Sequence, residues 1–272
     1  MAKTAIISGG AGGIAGELAP LLIERGYELL LVDLDERRLA ARAQALGGKV
    51  ECVAADLTRE DDLQRLATLI RERDDLDLLV NNAGIIEPGN VVDLNYEVMQ
   101  RHVAINLLAP MRLSQAAAIG MVARGRGCIL SIVSAAGVVS LPGSAAYSAS
   151  KFGLRGFLTG LSQELLPHGV MVRGVFPGAV DTPMLRYEAT HGGSPLNFLN
   201  KDVLTPAQVA GACLRAMDGK ALETYLPFSD GFTARLIGAA PGLIPMVLPY
   251  FQKKGEAGMR RYLTSRGLTP RG

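Results

Sequence analysis

Ser8-Gly9-Gly10-Ala11-Gly12-Gly13-Ile14-Ala15-Gly16 closes a short apolar run that begins at Thr4. Beyond it, apolar residues recur at Ile14, Leu18, Leu21 and Leu22, and Gly26 stops them. The pattern predicts a strand, a glycine-rich turn and an amphipathic helix. Glycines let the backbone approach a phosphate, and a helix N-terminus offers free N–H groups and a positive dipole end. Set between strand and helix, the stretch predicts a dinucleotide cradle; a flexible loop is the alternative. Pro20 falls inside the predicted helix and removes a backbone bond there. Nothing in the sequence accounts for it.

Outward from the glycines, Glu28 to Val32 reads as a second strand ending at Asp33. An acidic residue about 20 positions past the glycines accepts hydrogen bonds from both adenosine ribose hydroxyls and repels a 2′-phosphate. That favours NAD(H) over NADP(H). A strand-ending turn aspartate is the bland alternative, and Arg37 and Arg38 are cations that can accommodate a 2′-phosphate, so NADP(H) stays open. Glu36 to Leu46 is helical in pattern, Val50 to Ala54 strand-like and closed by Asp56, and Leu63, Leu66 and Ile70 mark another helix face. Leu76 to Val80 then runs into Asn81-Asn82-Ala83-Gly84. This alternation predicts an α/β fold, a Rossmann-like doubly wound parallel sheet with helices on both faces. Ligands in such sheets bind at the carboxyl ends of strands, where the glycine loop, Asp33, Asp56 and Asn81 to Gly84 all fall.

Tyr96 to Asn106 and Leu107 to Ala123 read as two helical stretches, with the polar Asn106 at their join and Pro110 near the start of the second. Cys128 to Val133 is a fifth strand with Ser134 at its end, and Ala135 to Ser144 a small-residue loop. The next helix, to about Leu166, carries Tyr147 and Lys151. Four residues apart on a helix, a phenol and an ammonium share one face. A neighbouring cation lowers a phenol's pKa, which makes the pair an acid/base candidate; an ordinary solvated pair is the alternative. Val170 to Phe176 is a sixth strand, broken by Pro177-Gly178. Residues 184–204 have weak periodicity and predict a substrate lid loop. Thr205-Pro206-Ala207-Gln208 is a capped helix start, and Glu223 to Leu226 a last edge strand. Residues 230–272 form an apolar C-terminal helical extension. Pro241, Pro245 and Pro249 interrupt Phe232 to Phe251 and predict two short helices, with a polar helix from about Gly255 to Leu263. This tail is expected to cap the core or contact another subunit; a wall for an apolar substrate or a patch resting on lipid are the alternatives.

No linker or repeat divides the 272 residues, so 1–272 is expected as a single domain. A 49% hydrophobic and 20% charged composition describes a soluble chain with a substantial core. A net charge of +2 with scattered basic residues excludes a nucleic-acid partner. Cys52, Cys128 and Cys213 sit singly in apolar runs and read as buried free thiols, which suits a reducing cytoplasm. The chain opens on a strand-like run without signal-peptide character, and no apolar stretch is long enough to span a bilayer. His102, His168 and His191 lack metal-ligand spacing and read as structural or solvated; no metal site is expected. His191 lies nearest the site.

Together these residues resemble the short-chain dehydrogenase/reductase family over roughly residues 3 to 226. Its Thr-Gly-x-x-x-Gly-x-Gly motif is similar to Ser8-Gly9-x-x-x-Gly13-Ile14-Ala15, with serine for threonine and alanine for the last glycine. Asn81-Asn82-Ala83-Gly84 matches unchanged, Ser134 precedes Tyr147 by thirteen residues, and Pro177-Gly178-x-Val180-x-Thr182 resembles the nicotinamide-contacting segment. The resemblance implies a catalytic tetrad of Asn106, Ser134, Tyr147 and Lys151. It implies cofactor contacts from Ser8, Gly9, Gly13, Ile14, Asp33, Asp56, Leu57, Asn82, Ala83, Gly84, Pro177, Gly178, Val180 and Thr182, together with Tyr147 and Lys151. The implied activity is hydride transfer between a nicotinamide cofactor and a secondary alcohol or ketone, with Tyr147 as acid/base, Lys151 lowering its pKa and Asn106 linking Lys151 to solvent; Asp33 favours NAD(H), and the apolar tail suggests an apolar substrate. The implied assembly is a homodimer or homotetramer. A lipid-type dehydrogenase held on a membrane by its tail, and a non-catalytic NAD-binding sensor, are the rival readings.

Overall fold

The computed structural model describes residues 3–200 and 202–269, and only the backbone of Asp230 and Leu243. The ends of the expected 1–272 domain and position 201 of its 184–204 segment lie outside the described residues. The first half alternates as expected: β1 (Lys3–Ser8), α1 (Gly13–Glu24), β2 (Tyr27–Asp33), α2 (Glu36–Leu46), β3 (Val50–Ala54), α3 (Glu60–Arg71) and β4 (Leu76–Asn81). There follow α4 (Tyr96–Val103), α5 (Ala109–Arg124), β5 (Gly127–Ile132), α6 (Ala145–Leu165), β6 (Val170–Pro177), α7 (Pro183–Thr190), α8 (Pro206–Asp218), β7 (Glu223–Leu226), α9 (Phe228–Ala239) and α10 (Ile244–Ser265).

Among the described residues one sheet forms, ordered β3-β2-β1-β4-β5-β6-β7, and every pairing is parallel. Side chains alternate across it: Ile6, Leu30 and Leu79 enter the core under α3, α5 and α6. Ala5, Ile7, Leu29, Leu31, Leu78 and Val80 enter the other, under α1 and α8. Both faces are therefore buried, which is why the strands read as nearly continuous apolar runs. The strand order reverses between β1 and β4, so the crevice for a ligand opens beside Ser8 and Asn81.

Four expectations are corrected. The two helical stretches around Asn106 are continuous, joined by a π-helical turn at Ala104–Leu108 in which Ala109 N–H bonds to Ala104 O. Pro110 has no N–H for the Asn106 carbonyl, so the widened turn falls where the ordinary bond is missing. The 184–204 segment is largely ordered, with α7 and a 3-10 turn at Pro195–Phe198. The tail holds α9, then a short 3-10 turn, then α10 as one helix through Pro249 and on to Ser265. Tertiary packing sustains it: any Cβ at Gly255 or Gly258 would collide with the carbonyls of Pro195 and Phe198. Asp181 accepts from Tyr262 Oη at 2.8 Å and from Arg266 Nη2 at 2.6 Å, which ties the helix end to the domain. Cys52 is exposed, because β3 is an edge strand with thin cover; Cys128 and Cys213 are buried and free.

Candidate active site

The carboxyl ends of β1, β4, β5 and β6 open into one cavity of about 620 Å³. The glycine loop forms its floor. Gly9 has φ +66°, and a Cβ there would stand 2.9 Å from the Ala83 Cα, so only glycine fits. Ser8 is buried outside the lining and holds the floor together. Its Oγ accepts from Asn82 N (3.1 Å) and Ala83 N (3.2 Å), while Asn82 Nδ2 donates to the Ser8 and Gly9 carbonyls, both at 3.0 Å. No side chain caps α1 at Gly12, and its first turn lacks an acidic residue, so its positive dipole end stays uncompensated beside Gly13 and Ile14. The residues present thus fit a pyrophosphate.

Asp33 lines the same cavity, its carboxylate fixed by Ala11 N (3.0 Å) and Leu34 N (2.8 Å). Arg38 lines it too and donates to the Ala11 carbonyl at 3.0 Å, so a cation and an anion stand together at the expected ribose end. Arg37 is exposed and outside the lining. Asn82, Ala83, Gly84, Pro177, Gly178, Val180 and Thr182 all line the cavity. Asp56 and Leu57 lie at the end of β3 outside its lining, where Asp56 Oδ1 accepts from Thr58 N at 2.9 Å.

Ser134, Tyr147 and Lys151 converge on the wall. Ser134 has φ 149°, the single non-glycine residue with positive φ among those described. Strain of this kind is tolerated where surrounding structure enforces it, commonly at functional sites. Lys151 is buried, 5.8 Å from the Tyr147 ring centroid, and donates to the Ile132 carbonyl at 3.0 Å. Burial lowers its pKa to about 8. Burial likewise pushes the Tyr147 phenol up; the Ser134 hydroxyl pulls it down, and the Glu188 charge pushes it further up. The Ser134 hydroxyl is the neighbour that lowers the Tyr147 phenol against its own burial.

Asn106 stands behind the wall, fully buried in the π turn. Its Oδ1 accepts from Ile85 N (2.9 Å), and its Nδ2 donates to Ile85 O (3.0 Å) and Ser150 Oγ (3.1 Å). It clamps the segment after Gly84 to α6. Gly84 occupies the gap between Asn106 and Lys151, where a Cβ would meet Asn106 Oδ1 at 3.3 Å and Lys151 Nζ at 3.7 Å.

Two buried residues had no sequence signal for their place. His102 accepts from Glu87 N at 3.1 Å and pairs through Nδ1 with Val98 O at 2.8 Å, and its ring meets Tyr147 edge-on at 6.3 Å. Burial lowers its pKa, so it backs the tyrosine as a neutral ring. Glu188 lines the cavity from α7. Its spacing from Leu185 is visible in the sequence, but weak periodicity hid the helix that gives the spacing meaning. His191 stacks on Tyr187 with ring centroids 4.0 Å apart, outside the lining. Among the described residues no cluster could hold a metal ion.

The chain matches the short chain dehydrogenase family over residues 3–192. It is 34% identical over 243 residues to a cyclopentanol dehydrogenase of Comamonas sp., covering 85% of this chain and 97% of that one. A short-chain dehydrogenase from Sphingobium yanoikuyae, solved with NADPH, superposes with TM-score 0.78 at 32% identity, covering 89% of this chain and 95% of that one. A bulky-bulky ketone specific alcohol dehydrogenase from Comamonas testosteroni does so with TM-score 0.75 at 29% identity, covering 89% and 94%. The chain belongs to the short-chain dehydrogenase/reductase family, oxidoreductases whose fold binds NAD(P)(H).

Proposed function

We propose that this protein interconverts a secondary alcohol and a ketone with an apolar skeleton, using NAD(H) in preference to NADP(H). The convergence of Ser134, Tyr147 and Lys151 on one cavity carries this reading. The nicotinamide supplies the hydride chemistry when bound. Tyr147 takes the hydroxyl proton in oxidation and returns it to the carbonyl oxygen in reduction. Ser134 hydrogen-bonds the substrate oxygen, and Lys151 holds the nicotinamide ribose. Asn106 positions α6 through Ser150, whose Oγ donates to the Tyr147 carbonyl at 2.6 Å. The fixed Asp33 carboxylate supports NAD(H), while Arg38 beside it is the counter-argument. Leu185, Leu196, Ile237, Val247, Leu248 and Phe251 in the lining support an apolar skeleton.

Initial rates on a panel of secondary alcohols, with NAD⁺ and NADP⁺ in parallel, test the reading. Tyr147→Phe should lose at least about 100-fold in turnover and still bind cofactor. Full turnover in that variant refutes the mechanism, and cofactor binding without turnover of any alcohol restores the sensor reading.

One observation favours a second reading. Phe228, Phe232, Leu236, Met246 and Tyr250 are exposed on α9 and α10, the helices that also wall the cavity. Such a patch suits a lipid surface, with the substrate drawn from it. No helix among the described residues is long and apolar enough to cross a membrane. Flotation with liposomes, against a chain ending near Ser229, separates this from a cytoplasmic enzyme. The exposed Leu108, Ile119 and Phe152 on the α5–α6 side support a homodimer or homotetramer, which light scattering tests.

A further inference from the structure

A buried carboxyl does not fit an apolar pocket. Glu188 sits on the inner face of α7 beside Leu185 and Ala189, both packed into the cluster with Phe198 and Tyr262. It is 7% exposed and lines the cavity. No described cation pairs with it; Oε1 accepts one hydrogen bond, from Asn197 Nδ2 at 3.1 Å. The turn after α7 is shaped around it. His191 N and Gly193 N both donate to the Glu188 carbonyl, at 3.2 and 2.8 Å, and a Cβ at Gly193 would stand 2.8 Å from the Glu188 Cβ. A carboxyl buried with one amide partner is a cost to the fold, and groups of this kind mark sites. Its charge reaches Tyr147, so it faces the acid/base group electrostatically.

We infer that Glu188 is a specificity residue that hydrogen-bonds a second hydroxyl of the substrate, remote from the carbon oxidised at Tyr147. The inference deepens the alcohol/ketone reading above and rests on it. The preferred substrates are then diols or hydroxyketones on an otherwise apolar skeleton. Hydride and proton leave only the reacting carbinol, and the second hydroxyl keeps its proton and all its bonds. A hydroxyl suits this carboxyl better than an ammonium does. Burial raises the carboxyl to about 7, so both its forms are present near neutrality. A hydroxyl donates to the anion and accepts from the acid, whereas an ammonium serves only the anion and must shed its water in an apolar cavity.

The test is binding to the inert Tyr147→Phe variant, saturated with whichever of NAD⁺ or NADP⁺ it binds. Calorimetric titration with cyclohexanol, cyclohexane-1,3-diol, cyclohexane-1,4-diol and 4-aminocyclohexanol gives the ratios. At least one diol should bind about tenfold or more tighter than cyclohexanol. Adding Glu188→Leu should bring that ratio near one while cyclohexanol binding holds or improves. Adding Glu188→Gln, which keeps the shape, should retain an intermediate ratio. Unchanged cofactor affinity in each variant reports an intact fold. A diol ratio that survives Glu188→Leu, or an amino alcohol that outbinds every diol, overturns the inference. In the Tyr147-intact enzyme the same ratio should appear mainly in KM. Turnover of no alcohol, with the binding ratio intact, sinks the alcohol/ketone reading and leaves Glu188 only as a hydroxyl-binding residue of the cavity.

Discussion

The Lys151 ammonium is anchored on the Ile132 carbonyl at 3.0 Å, inside the protein and without a carboxylate partner among the described residues. The chain thus carries a destabilised cation at its centre. A Lys pKa lowered from 10.5 to about 8 corresponds to about 3 kcal/mol held against the fold. The folded pKa lies below the unfolded one, so this cost is fully present below about pH 8 and fades as pH rises toward 10.5. Lys151→Met should therefore be at least as stable as the wild type at pH 7 and lose that advantage toward pH 10, while activity collapses. Denaturant unfolding of both proteins across this range checks the sign. An advantage that grows with pH contradicts it.

The strained backbone at Ser134 makes a separable prediction. Glycine adopts φ 149° freely, whereas alanine does not. Ser134→Gly should exceed Ser134→Ala in stability by about 1 kcal/mol, since strain of about 1–3 kcal/mol is relieved against glycine's entropic cost. Both should lose about 100-fold in kcat, because both remove the hydroxyl at the reacting oxygen. Equal melting temperatures for the pair would argue against strain.

Asp33 and Arg38 frame the same end of the cavity, so removing the anion should hand that end to the cation. Asp33→Asn keeps the shape of the side chain but one acceptor oxygen, so it can accept from Ala11 N or from Leu34 N and not from both. The ratio of kcat/KM for NADP⁺ over NAD⁺ should rise about tenfold or more, close to 1.4 kcal/mol. A ratio that does not move would show that Asp33 shapes the loop without touching ribose.

Glu188 is the mirror case of Lys151. Its pKa is raised by burial to about 7, so the carboxylate costs stability above that pH, and the cost disappears as pH falls toward 4.5. Glu188→Gln should be more stable than the wild type at pH 8, by up to about 3 kcal/mol, and the two should converge near pH 4.5. Thermal unfolding at these pH values decides it; a gap that widens on acidification rules the assignment out.

The sheet was legible because strand and helix periods alternate cleanly and glycine or proline punctuates nearly every junction. The cofactor floor was legible because closeness to a backbone demands glycine, and Gly9 against the Ala83 backbone leaves that mark. Asn106 was visible as a polar residue in an apolar stretch. Its clamp on Ile85 and Ser150 was not, since the partners lie 21 and 44 positions away. The tail was misread for a physical reason. A proline forfeits one helical bond locally, but Gly255 and Gly258 let α10 press on the Pro195–Phe198 backbone, and that packing outweighs the loss.

Local rules thus determined the parallel sheet, the glycine cradle, Asp33 at its strand end and Tyr147 one helical turn before Lys151, because each depends on spacing within a few residues. The polarity around those groups depends on tertiary structure. Burial lowers the Lys151 pKa and raises that of Tyr147, Ser134 pulls Tyr147 back down, and α7 carries Glu188 into the same wall. Desolvation and Coulomb effects depend on what surrounds a group in space, and spacing along the chain carries no record of that.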